Sequence, residues 1–126
     1  MGFEQSNEIG GTWVYREETG KDKYGIDIHS SMYQGLHTNL PKELMHYPDF
    51  PFPTSSSPPS PSYLCAEDVL KYYQSYADTF NLRNYIKFEH HVVRVRPIMM
   101  NNGTSDEVWE VIVKDLKREK QEIFHF

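Results

Sequence analysis

Six of the chain's 8 prolines (Pro48, Pro51, Pro53, Pro58, Pro59 and Pro61) stand between Pro48 and Ser62, interleaved with serines. Proline has no backbone N–H and locks its own φ, so neither a helix nor an interior strand can run through that stretch. Regular structure is confined to its two sides, and the part from Thr54 to Ser62 reads as an inserted, flexible Ser/Pro-rich segment. Ahead of it, residues 1–47 are rich in Gly, Tyr and His and carry almost no 3.6-residue periodicity, which predicts long loops with one short helical turn around Ser31–Leu36. Loops of that length usually serve a site.

Beyond the proline block the pattern changes. Ala66, Val69, Leu70, Tyr73, Ala77 and Phe80 recur at spacings of three and four, which predicts a helix over Ala66–Phe80. Glu67 and Asp68 fall in its first turn, where the helix dipole favours anions, and Asn81 suits a left-handed stop. The tyrosines Tyr72, Tyr73 and Tyr76 are expected to pack in the core with their hydroxyls reaching solvent. Ile86–Arg96 is β-prone, and its apolar parity switches near His90 and His91, the mark of a bulge or bend. Met99–Asp106, holding Asn101-Asn102-Gly103, predicts a turn. Val108–Lys114 and Glu122–Phe126 are then expected as the second and third strands of an antiparallel meander.

At 126 residues the chain is one domain or part of one. A net charge of −5 with the signs interspersed provides no basic stripe for nucleic acid or anionic lipid. Cys65 is the lone cysteine, which excludes an internal disulfide and a zinc-finger ligand set and points to a reducing, cytoplasmic setting. No apolar run is long enough to cross a bilayer, and the first residues do not form a secretion leader. Cys65 reads as a small buried residue in place of a helix cap rather than an activated thiol. No metal site is expected: His90 and His91 are strand neighbours on opposite faces, and the chain spacing offers no third and fourth ligand.

Two constellations carry chemistry. In the first, Phe3-Glu4 is followed by Ile9-Gly10-Gly11-Thr12-Trp13. An acidic residue at a strand end can accept from ribose hydroxyls, and a glycine pair lets the backbone come close to a cofactor; a structural turn followed by a core tryptophan accounts for the same residues equally well. The second is His37-Thr38-Asn39-Leu40-Pro41-Lys42-Glu43 with Asp49-Phe50-Pro51-Phe52-Pro53. Here Lys42 either adds positive potential toward a pyrophosphate or stands as a solvated surface lysine.

The first constellation is similar to the signature of flavin-dependent monooxygenases just after their first glycine-rich loop. The second resembles the Asn-x-Pro-Lys-Glu and Asp-Phe-Pro-Phe-Pro elements of the flavin-containing monooxygenases that oxygenate nitrogen and sulfur. Baeyer–Villiger enzymes share the Gly-Gly-Thr-Trp start but would place a Tyr-Pro-Gly element and an acidic residue after it, where this chain has Asn39. The resemblance implies an α/β fold: residues 1–126 as part of the FAD-binding domain of a two-dinucleotide-fold flavoprotein, lacking the first βα unit, with a loop-rich start, one long helix and the meander. It implies FAD and NADPH as cofactors and O2 and a small nitrogen- or sulfur-containing molecule as substrates, the oxygen being carried as a C4a-hydroperoxyflavin. It assigns cofactor contacts to Glu4, Gly10, Gly11, Thr12, Trp13, Thr38, Asn39 and Lys42, with Asn39 also the catalytic residue. A neutral amide suits that task, because it donates and accepts without offering an acidic proton to an oxygen-bearing flavin that decays when stray protons reach it.

The family's two Gly-x-Gly-x-x-Gly loops, for FAD and for NADPH, are absent from the sequence. The chain is therefore expected to be an internal fragment that does not hold FAD by itself and leaves apolar surface uncovered. The rival expectations are a non-catalytic remnant or interaction module, and another FAD/NAD(P)H oxidoreductase such as a Baeyer–Villiger monooxygenase.

Overall fold

A computed structural model describes residues 1–53, 60–99 and 107–126. The turn expected at Met99–Asp106 and most of the Thr54–Ser62 segment lie outside the described residues. The elements are β1 (Gly2–Glu4), α1 (Lys42–Met45), α2 (Ala66–Thr79), β2 (Ile86–Phe88), β3 (His90–Met99), β4 (Glu107–Asp115) and β5 (Lys120–His125), with short 3-10 turns at Gly11–Trp13 and Leu82–Tyr85. They fall into two units, one made of Met1–Glu8 with Arg83–Phe126 and the other of Ile9–Leu82. Among the described residues no helix is long and apolar enough to cross a membrane.

In the first unit β1 runs parallel to β2, with Gly2 opposite Ile86 and Glu4 opposite Phe88. This corrects the expected strand Ile86–Arg96, whose first three residues leave the meander for a parallel pair. The break is at Glu89, a buried residue at φ 56. Its N–H donates to the Ser6 carbonyl and its own carbonyl accepts from Leu116 N–H, both at 2.9 Å, so the kink is held from both sides. Its carboxylate meets Lys117. β3, β4 and β5 then form the expected antiparallel meander, with a register shift between Val92 and Arg94. The parity change in the sequence therefore has two sources, the left-handed Glu89 and this bulge. Val111, Val113 and Leu116 are buried, and the Phe3 ring packs on Phe124 at 5.0 Å. Val95, Trp109 and Phe126 remain half-exposed.

The second unit is loop-rich, as expected, but the helical turn anticipated at Ser31–Leu36 is a tight turn instead. Gly35 takes φ 78, and Leu36 N–H closes the turn on the Tyr33 carbonyl at 3.2 Å. Extending it as a helix is ruled out because Leu36, His37 and Thr38 pair instead with the segment that leads into α2. The short helix forms later, after Pro41, which suits the entry to a first turn.

Helix α2 stops one residue before the expected Phe80, and Asn81 takes the left-handed conformation at φ 54. At its start Cys65 gives no side-chain cap; its thiol donates to Asp68 Oδ2 at 3.2 Å, and burial pushes the thiol pKa up. The buried face is Ala66, Val69, Tyr72 and Ala77, while Phe80 stays exposed. Contrary to expectation, the Tyr72 hydroxyl is internal: it donates to the Phe50 carbonyl at 2.6 Å and accepts from Tyr47 N–H at 2.8 Å. A phenol that satisfies two orphaned backbone groups of a proline-rich loop is worth more inside than in water. Phe52 stacks on the same ring at 3.8 Å between centroids.

Two outcomes follow from these contacts. Tyr72→Phe removes the partner of both loop groups and lowers unfolding stability in urea by about 1–3 kcal/mol, whereas Tyr76→Phe changes it by less than about 0.5 kcal/mol. Asp115 accepts backbone N–H bonds from Arg118 and Lys117, which hold its carboxyl below the usual carboxylate range. A depressed folded pKa gives stabilisation that is present above the unfolded value of about 4 and lost as pH falls through the folded value. Asp115→Asn should flatten that acid limb of a pH–stability curve.

Candidate functional site

The two motif groups of the second unit rest on one helix. Gly10 leads into the 3-10 turn Gly11–Trp13, in which Trp13 N–H donates to the Gly10 carbonyl at 2.9 Å and Val14 N–H to that of Gly11 at 3.2 Å. This turn lies against α2. Gly10 sits at φ 145, and a Cβ there would stand 2.2 Å from Leu70 Cδ1 and 2.8 Å from Val14 Cγ2. Its glycine is demanded both by packing on the helix and by that backbone conformation. Gly11 is different: it takes φ 51, is exposed, and has nothing within 4 Å of where a Cβ would stand. Thr12 is exposed beside it. Trp13 packs half-buried against the core cluster of Phe52, Leu64, Val69 and Tyr72. The glycine pair thus divides its work, one residue fitting the helix and the other leaving bare backbone.

The second group pairs with the residues that lead into α2. Thr38 is buried; its N–H donates to the Leu64 carbonyl at 2.9 Å, and its Oγ1 accepts from Leu64 N–H at 3.1 Å. Next to this fixed residue, Asn39 lies in an exposed bend, and among the described residues its amide has no hydrogen-bond partner. Lys42 is not the solvated lysine of the bland alternative. It is buried, its backbone N–H donates to Ser62 at 2.7 Å, and its ammonium donates to the Ser60 carbonyl at 2.9 Å and to the Ser60 hydroxyl. A cleft of about 480 Å³ borders Lys42, Phe52, Leu64, Asp68 and Tyr72 but not Asn39. In that cleft Asp68 is held below the usual carboxylate range, first by the Cys65 thiol and then by Lys71.

Glu4 belongs to the first unit. It ends β1, and one carboxylate oxygen, Oε1, accepts from Ser6 N–H at 2.8 Å. That bond orients the side chain and leaves the second oxygen to accept from hydroxyl groups. The described residues therefore fit a flavin nucleotide in kind: a strand-end carboxylate, an open left-handed glycine and an unengaged neutral amide. Leu64, Ser60 and Leu70, which hold Thr38, Lys42 and Gly10, carry no mark in the sequence that could have singled them out.

The glycine assignments have different consequences. Gly10→Ala forces Leu70 or the turn to move and should sharply lower folded yield, partly restored by Leu70→Ala. Gly11→Ala meets no atom and pays only the left-handed penalty of about 1–2 kcal/mol, so it should fold. Circular dichroism and urea melts of the three variants check this order.

A family model described as flavin-binding monooxygenase-like matches residues 1–126. A flavin-containing monooxygenase of Arabidopsis thaliana, FMO GS-OX-like 1, is 43% identical over 108 residues, covering 81% of this chain and 23% of that protein. Among solved structures, Tmm from Pelagibacter sp. strain HTCC7211 superposes with a TM-score of 0.80 at 28% identity, covering 98% of this chain and 27% of that one. S-allyl-L-cysteine S-oxygenase from Allium sativum gives 0.74 at 31% identity, covering 98% and 28%. The chain thus spans about a quarter of the length of each relative. Because the match runs through the glycine turn, the Asn39 bend, α2 and the meander without leaving either unit out, the chain belongs to the flavin-binding monooxygenase-like family.

Proposed function

We propose that the protein carrying this chain is an FAD- and NADPH-dependent monooxygenase that uses O2 to oxygenate a nucleophilic sulfur or nitrogen of a small molecule. Thioether sulfur is the class we favour, since one solved relative is by name an S-oxygenase. The observation that carries the reading is Asn39: an exposed amide without a hydrogen-bond partner among the described residues, placed directly after a threonine that is buried and doubly bonded to Leu64. An unengaged polar group on a rigid support is what a cofactor contact requires.

When bound, FAD supplies the redox chemistry and the activation of O2. The chain's own residues bind, orient and exclude. Glu4 accepts from the ribose hydroxyls of the nucleotide. Gly11 lets the backbone come close, with the Thr12 hydroxyl beside it and Trp13 as an apolar wall. Gly10 serves that contact indirectly, through its fit on Leu70. Thr38 fixes the bend, and the Asn39 amide would donate to the flavin and accept from the nicotinamide. Lys42, anchored by Ser60, contributes fixed positive charge toward the pyrophosphate. No side chain acts as nucleophile or general base, and an acidic residue at position 39, as the Baeyer–Villiger pattern would have, is missing.

The test is a graft of this chain into the garlic S-oxygenase in place of the matching segment. The graft should bind FAD and oxygenate S-allyl-L-cysteine. In it, Asn39→Ala should leave flavin content and NADPH oxidation near the parent level while product formation falls about a hundredfold, the usual effect of removing one preorganised donor at an oxygen centre, and hydrogen peroxide release rises. Asn39→Asp should do at least as much harm. A fully flavinated Asn39→Ala graft with normal coupling of NADPH use to product would sink the assignment.

A further inference from the structure

The first unit holds a side-chain constellation that the monooxygenase reading does not use. His90 at the start of β3, Asp115 at the end of β4 and Glu122 in β5 each offer one ligand atom, and these atoms lie within 4.8 Å of one another. They border a cavity of about 270 Å³. From this arrangement we infer a site for a divalent transition ion of the zinc type, bound by His90 Nε2, Asp115 and Glu122 with a position left for water.

Each ligand is already oriented. The His90 Nδ1–H donates to the Phe88 carbonyl at 2.7 Å, so in the neutral ring the lone pair is on Nε2. That nitrogen stands 3.9 Å from Asp115 Oδ2, too far for a hydrogen bond. Zinc bonds of about 2.0–2.2 Å set neighbouring ligands roughly 3.3 Å apart in a tetrahedron, so ligand atoms now within 4.8 Å of one another close in when the ion binds, by about 1.5 Å at most. The other Asp115 oxygen, Oδ1, is fixed by Lys117 N–H and Arg118 N–H at 3.0 Å each, which aims Oδ2 into the gap. Glu122 gives Oε2 to Lys87 at 2.9 Å, and a carboxylate has a second oxygen that can serve an ion. Bonds of this kind from outer groups to ligands are what fix tautomer and direction in metal sites. Opposing the ion is the positive charge of Lys87 and of the exposed Arg118, so Lys87 competes with the metal for Glu122. Spacing along the chain hides the set, because its three members come from three strands.

The experiment is calorimetric titration of the full chain with Zn2+ near neutral pH, alongside nitrogen-15 NMR of the imidazoles. One saturable site should appear, with a large shift of the His90 Nε2 resonance. His90→Gln and Glu122→Gln should each weaken binding at least about tenfold, and Lys87→Met should strengthen it. His91→Gln and His125→Gln, whose positions pair with Lys114 and Glu110 in the sheet register, should leave it unchanged. Absence of saturable binding, an unmoved His90 resonance, or undiminished binding in folded His90→Gln would overturn the inference.

Discussion

The two-way pairing of Thr38 with Leu64, continued by the bond from Ala66 N–H to the Leu36 carbonyl at 2.9 Å, sets the rest of the second unit. It ties a long loop to the first residues of α2. A buried threonine that uses its backbone N–H and its Oγ1 on one partner has little freedom left, so the bend after it starts from a fixed point. The same helix carries the Gly10–Trp13 turn through Leu70 and Val69. Both motif groups are thus indexed to one rigid element, although neither lies on a helix or strand long enough to be rigid by itself.

A loop-rich unit has to satisfy many backbone groups without ladders, and here aromatic residues do much of that work. Tyr72 bonds Tyr47 N–H and the Phe50 carbonyl while Phe52 stacks on its face. Tyr47 in turn packs on Tyr76 at 4.5 Å between centroids. The prolines of this region remove donors that would otherwise need partners, and the phenylalanines between them supply apolar area of about 1.5–3 kcal/mol per buried ring. Asp-Phe-Pro-Phe-Pro is in this sense a packing motif, holding the Tyr47–Phe52 loop against α2.

What was legible in the sequence is what depends on local periodicity. The helix, its Asn81 stop, the acidic first turn and the meander strands all follow from side-chain spacing. Three features were hidden because they depend on partners far along the chain. Ile86–Phe88 pairs in parallel with residues 2–4, and nothing in its own pattern distinguishes that from an antiparallel edge. The helical turn expected at Ser31–Leu36 gives way to a tight turn because Leu36, His37 and Thr38 pair with residues 64–66 at the start of α2. Lys42 was ambiguous between surface and site, and its burial depends on Ser60, a residue inside a proline-rich stretch that looked like solvated linker. For the candidate site, residue types and order identified the family, but the division of labour between Gly10 and Gly11 needed the Leu70 side chain in place.

In the proposed function, bare backbone at Gly11 and Thr12 and the amide at Asn39 face a bound flavin. Amide hydrogen exchange tests it most directly, with the grafted S-oxygenase compared as apoprotein and after FAD is restored. Exchange at Gly11, Thr12 and Asn39 should slow on flavin binding, while that of the β4–β5 turn at Lys117–Glu119 should not change. Equal exchange at those three positions in the apo and fully flavinated forms would contradict it.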